Sequence, residues 1–273
     1  MEARQGSVRA HPFDLATSVM AVSPHRWLAP ADRRWFGGAG PHGGHLAAQV
    51  LRAVLLEAAD PALLARSLTV HFTSRAEPGE LELETRLERR GRTLSTVSAR
   101  ATQSGQVVAV AVAALASGRS GPRYREAAMP AVPPPEDLAG PSPRAQGSGP
   151  RVSDHYDLRF AVGRPLSGDP ARAGGWIRPR EPREPDHLLT TALADMWMPA
   201  VFTRVQERLP TSTVELTVNY LDSTDGLAED AWFLTLFEAP VAGDGFFREE
   251  GTVWAADGRV LARCSQLGIF LVP

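Results

Sequence analysis

The histidines best placed for proton chemistry in this 273-residue sequence are His42 and His45, which flank Gly43-Gly44. Imidazole takes or gives a proton near neutral pH, so such a pair suits acid–base work; an ordinary loop histidine is the plainer account of each. The seven histidines and the one cysteine, Cys264, fall at no spacing that would ligate a metal. No Gly-x-Ser-x-Gly run is present, which counts against an α/β-hydrolase with an exposed serine nucleophile. Arg89, Arg90 and Arg92 cluster where a hairpin tip is expected and could meet phosphates, but a solvated turn is the plainer explanation. Cys264 lies in an apolar stretch and reads as a small buried thiol.

Composition narrows the partners. With 29 basic and 31 acidic residues the formal charge is -2, which gives no general pull towards nucleic acid or an anionic membrane. A single cysteine excludes an intrachain disulfide. The stretch Met1 to Ala21 lacks the continuous apolar core of a signal peptide. The longest apolar run, Val107 to Ala116, is too short to span a bilayer as a helix and reads as a buried strand. The cytoplasm is therefore the expected location.

The elements that must carry any site fall into two halves. In the first, Gly43-Gly44 opens a segment with Leu46, Val50, Leu51, Val54 and Leu55 on one face, closed near Asp60-Pro61, which is helix spacing with a helix stop. Strands are expected at Ser67 to Ser74, Leu81 to Arg89, Thr93 to Thr102 and Gln106 to Ala116, separated by turn residues such as Glu77-Pro78-Gly79. In the second, a helix capped by Asp186 is expected through Leu188, Leu189, Ala192, Leu193 and Met196. Strands follow at Thr213 to Leu221, Ala231 to Glu238, Phe246 to Trp254 and Val260 to Val272, with short pieces at Tyr156 to Phe160 and Trp176 to Arg178. A helix followed by an antiparallel meander implies an α+β layer arrangement, a curled sheet around a helix. Between Gly121 and Pro150 the sequence turns rich in Pro, Gly and Ser, lacks apolar periodicity, and is expected to bury little as a surface connector. The expected division is residues 1–120, a linker at 121–150, and residues 151–273.

The halves resemble each other. Leu68-Thr69-Val70-His71-Phe72 matches Leu216-Thr217-Val218-Asn219-Tyr220 at an offset of 148, and Gly105-Gln106-Val107-Val108-Ala109 matches Gly258-Arg259-Val260-Leu261-Ala262 at an offset of 153. Each match is short; their shared order carries the argument.

The succession Gly43-Gly44-His45-Leu46-Ala47-Ala48, Ser67-Leu68-Thr69-Val70-His71-Phe72, Glu77-Pro78-Gly79 and Arg90-Gly91-Arg92-Thr93-Leu94-Ser95 resembles the N-terminal half of type II acyl-CoA thioesterases. That resemblance implies two fused hotdog folds, each an antiparallel curled sheet wrapped around one long helix, with catalytic groups in the second half. It points to Asp195 in Leu193-Ala194-Asp195-Met196-Trp197, Thr213 in Thr213-Val214-Glu215, and Gln266 in Ser265-Gln266-Leu267-Gly268. The family's usual residues after the catalytic Thr are replaced here by Asn219-Tyr220-Leu221-Asp222.

Those three side chains suit hydrolysis of an acyl thioester. A carboxylate can take a proton from water, while a hydroxyl and an amide can aim that water at the carbonyl carbon without a covalent intermediate or a cofactor. A backbone N–H at a helix N-terminus is the expected oxyanion donor. The offsets pair Asp195, Thr213 and Gln266 with Ala47, Ala65 and Ala113, so the first half is expected to lack the chemistry. Two other readings stand beside this one: an enoyl-thioester hydratase using His42 or His45, and a non-catalytic acyl-thioester-binding protein. The expected partner is an acyl-CoA or acyl-carrier thioester, with no nucleic acid, membrane or metal, and self-association is left open.

Overall fold

Leu81, Leu83 and Thr85 turn inward while Glu82, Glu84 and Arg86 face water, so the strand that carries them has one buried and one wet face. The computed structural model describes residues 10–38, 40–140 and 151–271. In its first half, α1 (Pro12–Ala16), β1 (Met20–Ser23) and β2 (Arg26–Ala31) precede α2 (Gly43–Ala58). Four strands follow: β3 (Leu64–Phe72), β4 (Gly79–Arg90), β5 (Ser95–Gln103) and β6 (Gln106–Ala116). The second half has β7 (Tyr156–Val162), β8 (Arg172–Pro179), α3 (His187–Leu193), α4 (Val201–Arg204) and β9 (Thr211–Tyr220). It closes with β10 (Phe233–Gly243), β11 (Phe246–Ala255) and β12 (Val260–Phe270).

All twelve strands join one antiparallel sheet in the order β1-β2-β4-β5-β6-β3-β9-β12-β11-β10-β8-β7. Read inward from either edge, the succession is the same, and the two runs meet where β3 pairs with β9. The expected α2 and its following strands are present. The β1–β2 hairpin was not expected: β1 is exposed throughout, and Pro30 interrupts the β2 ladder donors.

Asp186 does cap α3, its carboxylate accepting the Leu189 N–H at 2.8 Å. The helix nevertheless ends at Leu193 and not at Met196, so only the first half is built on a long helix; α2 has 16 residues and α3 has 7. Pro199 accounts for part of this, since a continuing helix would leave the Asp195 carbonyl without its N–H partner. Asp195 thus stands in the turn just past α3.

Residues 141–150 of the expected linker lie outside the described residues. The part at 121–140 has one 3-10 turn, Pro135–Asp137, and is otherwise irregular. It does more than bridge. Met129, Val132 and Leu138 cover a second apolar cluster of Trp176, Leu234, Leu236, Trp254 and Val260, and the Trp176 indole donates to the Pro133 carbonyl at 2.9 Å. This explains why Phe233–Phe237 is buried residue after residue, without alternation: both faces of β10 are covered. No helix is long and apolar enough to cross a membrane among the described residues.

Candidate active site

The N-terminus of α2 is left open by its own sequence, because His42 occupies the N-cap position and makes no side-chain cap bond. Orphan N–H groups at such an end attract negative charge. Asp195 supplies it from the other half: its Oδ2 accepts the Gly44 N–H at 2.6 Å. The approach is close enough to require glycine. A Cβ on Gly44 would meet the Ala192 carbonyl oxygen at 2.7 Å and Asp195 Cβ at 2.9 Å, and one on Gly43 would meet Asp195 Oδ2 at 2.8 Å.

The other two residues stand behind that carboxylate. Thr213 Oγ1 donates to Gln266 Oε1 at 3.1 Å, and Gln266 Nε2 donates to the Ala194 carbonyl at 3.5 Å, a long bond. Cys264 Sγ also donates to the Ala194 carbonyl, at 3.3 Å, and burial pushes this thiol well up from its ordinary range, so it is a packing group and no nucleophile. Asp195, Thr213 and Gln266 are therefore brought to one place through Ala194, with no direct bond from Asp195 to either of the others among the described residues. The open cleft lined by Pro12, Met20, Pro30, Trp35 and Glu80 lies elsewhere and is bordered by none of the three.

The strand registers test the repeat. Leu68 pairs with Ala113 and Leu216 with Gln266; Ala65 pairs with Leu115 and Thr213 with Gly268. Ala113 and Ala65 thus hold the positions of Gln266 and Thr213, down to a matching irregularity one residue on. The pairing of Asp195 with Ala47 needs correction. Aligned by their N-caps, His42 and Asp186, the helices are offset by 144 and not 148, which sets Leu51 opposite Asp195. The first half still offers no carboxylate there.

Two further side chains belong to this neighbourhood. His42 Nε2 lies 3.6 Å from Asp195 Oδ2, beyond a hydrogen bond but within ion-pair range. His45 points away: its Nε2 meets the Tyr156 hydroxyl at 2.9 Å, and complete burial lowers its pKa well below the usual imidazole value, keeping it neutral. Glu249, on β11, was passed over in the sequence. It is buried, stands directly opposite Gln266 in the β11–β12 register, and accepts the Ala200 N–H at 2.5 Å. Burial first, and then the charge of Asp195, push its pKa up to about 8. The signal was available: in Phe247, Glu249, Gly251 and Val253, every second residue faces inward, and one of them is an acid. Among the described residues no group of three or more His, Cys, Asp and Glu side chains is arranged to hold a metal.

Two family models divide the chain between them, an acyl-CoA thioesterase N-terminal domain over residues 31–117 and an acyl-CoA thioesterase C-terminal domain over residues 130–270. The chain belongs to the acyl-CoA thioesterase family. A conserved protein of unknown function with a hotdog fold, from Alicyclobacillus acidocaldarius, is 28% identical with a TM-score of 0.86, over 97% of this chain and 100% of the other. A proposed thioesterase II from Thermobifida fusca is 26% identical with a TM-score of 0.84, over 97% and 99%. An acyl-CoA thioesterase II from Mycobacterium marinum, 23% identical over 96% and 98%, shares the fold with a TM-score of 0.79. Among curated proteins no significant match is found. The antiparallel sheet of this acyl-CoA thioesterase family member is thus of the hotdog kind, and the family agrees with the resemblance read from its sequence.

Proposed function

We propose that this protein hydrolyses acyl-CoA, or a related acyl thioester, to the free acid and thiol, acting in the cytoplasm. In this reading residues 1–120 and 151–273 are two fused hotdog units joined by the 121–150 linker, as the mirrored strand order supports. Asp195 takes a proton from the attacking water, and Thr213 and Gln266 fix that water in line with the thioester carbonyl. The oxyanion is held at the N-terminus of α2 by a first-turn N–H other than that of Gly44, which Asp195 takes, where the helix dipole also favours negative charge.

The observation that carries this reading is the Asp195 carboxylate of one half seated on the Gly44 amide of the other. It brings a base and an anion-binding helix end to one point, with Thr213 and Gln266 joined to the adjacent peptide. A panel of acyl-CoAs assayed for thiol release tests it: turnover of at least one supports hydrolysis, and binding without turnover would leave an acyl-thioester-binding protein.

A second reading, enoyl-thioester hydration, is favoured by one observation, the 3.6 Å approach of His42 to Asp195. A hydratase would add water to a 2-enoyl-CoA and release no thiol, so the same panel separates the two.

A further inference from the structure

Glu249 is an acid in a place where sheets seldom put one. Alternation along β11 turns it inward with Phe247 and Gly251, and only 4% of it is exposed. Its hydrogen bond is to the backbone of a different element, from Ala200 N–H to Oε2. Ala200 is the N-cap of α4 and supplies no side-chain cap of its own, so the carboxyl of a neighbouring strand closes that turn.

The location matters because of what lies between Ala194 and Ala200. The Ala194 carbonyl is fastened to β12 by Gln266 and Cys264, and the Ala200 amide is fastened to β11 by Glu249. Asp195 sits between these two attachments and reaches across to Gly44. Gln266 and Glu249 are direct cross-strand neighbours, so both ends of the segment rest on one patch of sheet. The titratable groups that face Glu249 are Asp195 on that segment and Cys264 on β12, with His42 on the far side of Asp195.

We propose that Glu249 is a positioning residue of this site: by holding the Ala200 amide it fixes the Ala194–Ala200 segment, and with it the direction of the Asp195 carboxylate. Its kinetic consequence rests on the hydrolysis reading above; the clamp itself rests on geometry. Near neutral pH Glu249 is uncharged, since burial and the Asp195 charge oppose its ionisation. Above about pH 8 it becomes a second anion beside Asp195, and the two repel.

The test compares wild type, E249A and E249Q. E249A is expected to lower kcat about tenfold and leave KM within about twofold, because the lost interaction acts on the base and not on substrate binding. E249Q keeps a carbonyl oxygen for the Ala200 N–H, so it recovers most of that turnover, and the loss of activity that wild type shows above about pH 8 disappears. Independently of activity, the Ala200 amide resonance of wild type should shift with a midpoint near pH 8 and stay flat in E249Q. Unchanged kcat in a folded E249A, or no recovery in a folded E249Q, overturns the proposal. So does an Ala200 amide indifferent to pH. If wild type hydrolyses no acyl-CoA at all, the hydrolysis reading falls, and the amide titration still decides whether the clamp exists.

Discussion

Thr69 and Thr217 meet hydroxyl to hydroxyl at 2.9 Å across the β3–β9 junction, and they are each other's counterparts under the offset of 148. Thr217 donates in turn to Glu215, so Thr69 supplies the proton of the shared bond. On either side the pairing is reciprocal: Leu68 faces Val218 and Val70 faces Leu216. Such self-complementary contact is how two identical subunits meet about a twofold axis, here within one chain.

That junction predicts how the protein survives cutting. Arg119 and Arg123 lie in an exposed segment without regular structure, next to Tyr124, which is 82% exposed. Trypsin should cut there before it enters either half. The fragments should still co-elute in native gel filtration, because β3 and β9 remain paired. Free separation of the halves would show that the junction contributes little.

Replacing the base tests the site. Asp195→Asn keeps the volume and removes the group that accepts a proton from water. Thiol release should fall by about a hundredfold or more, with the fold intact by circular dichroism. A variant as active as wild type would remove Asp195 from the mechanism.

Gly44→Ala tests the approach of the two halves. The added methyl meets backbone at Ala192, which cannot swing away as a side chain would. Overpacking of this kind costs about 1–3 kcal/mol, read as a lower denaturant midpoint, and should separate Asp195 from the α2 amide and depress turnover. Unchanged stability and rate would mean that α2 and the Asp195 turn can part without consequence.

Much of this was legible in the sequence, for identifiable reasons. Leu46, Val50, Leu51 and Val54 at helix spacing gave α2, and Leu81, Leu83 and their acidic neighbours gave β4, because each has one buried face. β1 escaped because it buries nothing, and the end of α3 because apolar spacing continues through Met196 beyond the helix itself. Thr213 and Gln266 kept their counterparts because strand register transmits an offset rigidly; Asp195 did not, because it lies past the end of a helix with an offset of its own. The apolar cluster under Met129 and Val132 could not be foreseen from a segment that has no periodicity.

Stability should carry the mark of Glu249. Its pKa rises from an ordinary 4.5 to about 8 in the folded chain, so between those values the folded state holds a proton that the unfolded state has lost. This group's contribution to stability is therefore fully present below about pH 4.5 and is lost as pH rises towards 8, by on the order of 5 kcal/mol. Relative to wild type, E249Q should gain stability steadily over that window and level off above it. Parallel stability curves for the two proteins would show that Glu249 does not hold its proton on folding.

The final expectation is one ligand per chain, although the fold offers two related positions. At the second position Leu51, Ala65 and Ala113 stand where Asp195, Thr213 and Gln266 stand at the first. No methyl or isobutyl group can take a proton from water. The helix ends differ as well. The N-terminus of α2 is uncapped by its own residue and open to a charge from the other half, whereas Asp186 closes that of α3 and is itself gripped by Arg183 at 2.7 Å. Each helix end thus holds a carboxylate, but at α3 it is the helix's own cap, paired with an arginine, whereas at α2 it is Asp195 of the proposed site. Calorimetric titration with a non-hydrolysable acyl-CoA analogue should give a stoichiometry near one per chain, weakened by Gly44→Ala. A value near two, with each site abolished separately by substitutions in its own half, would show that the first half has kept a working pocket built from residues other than these.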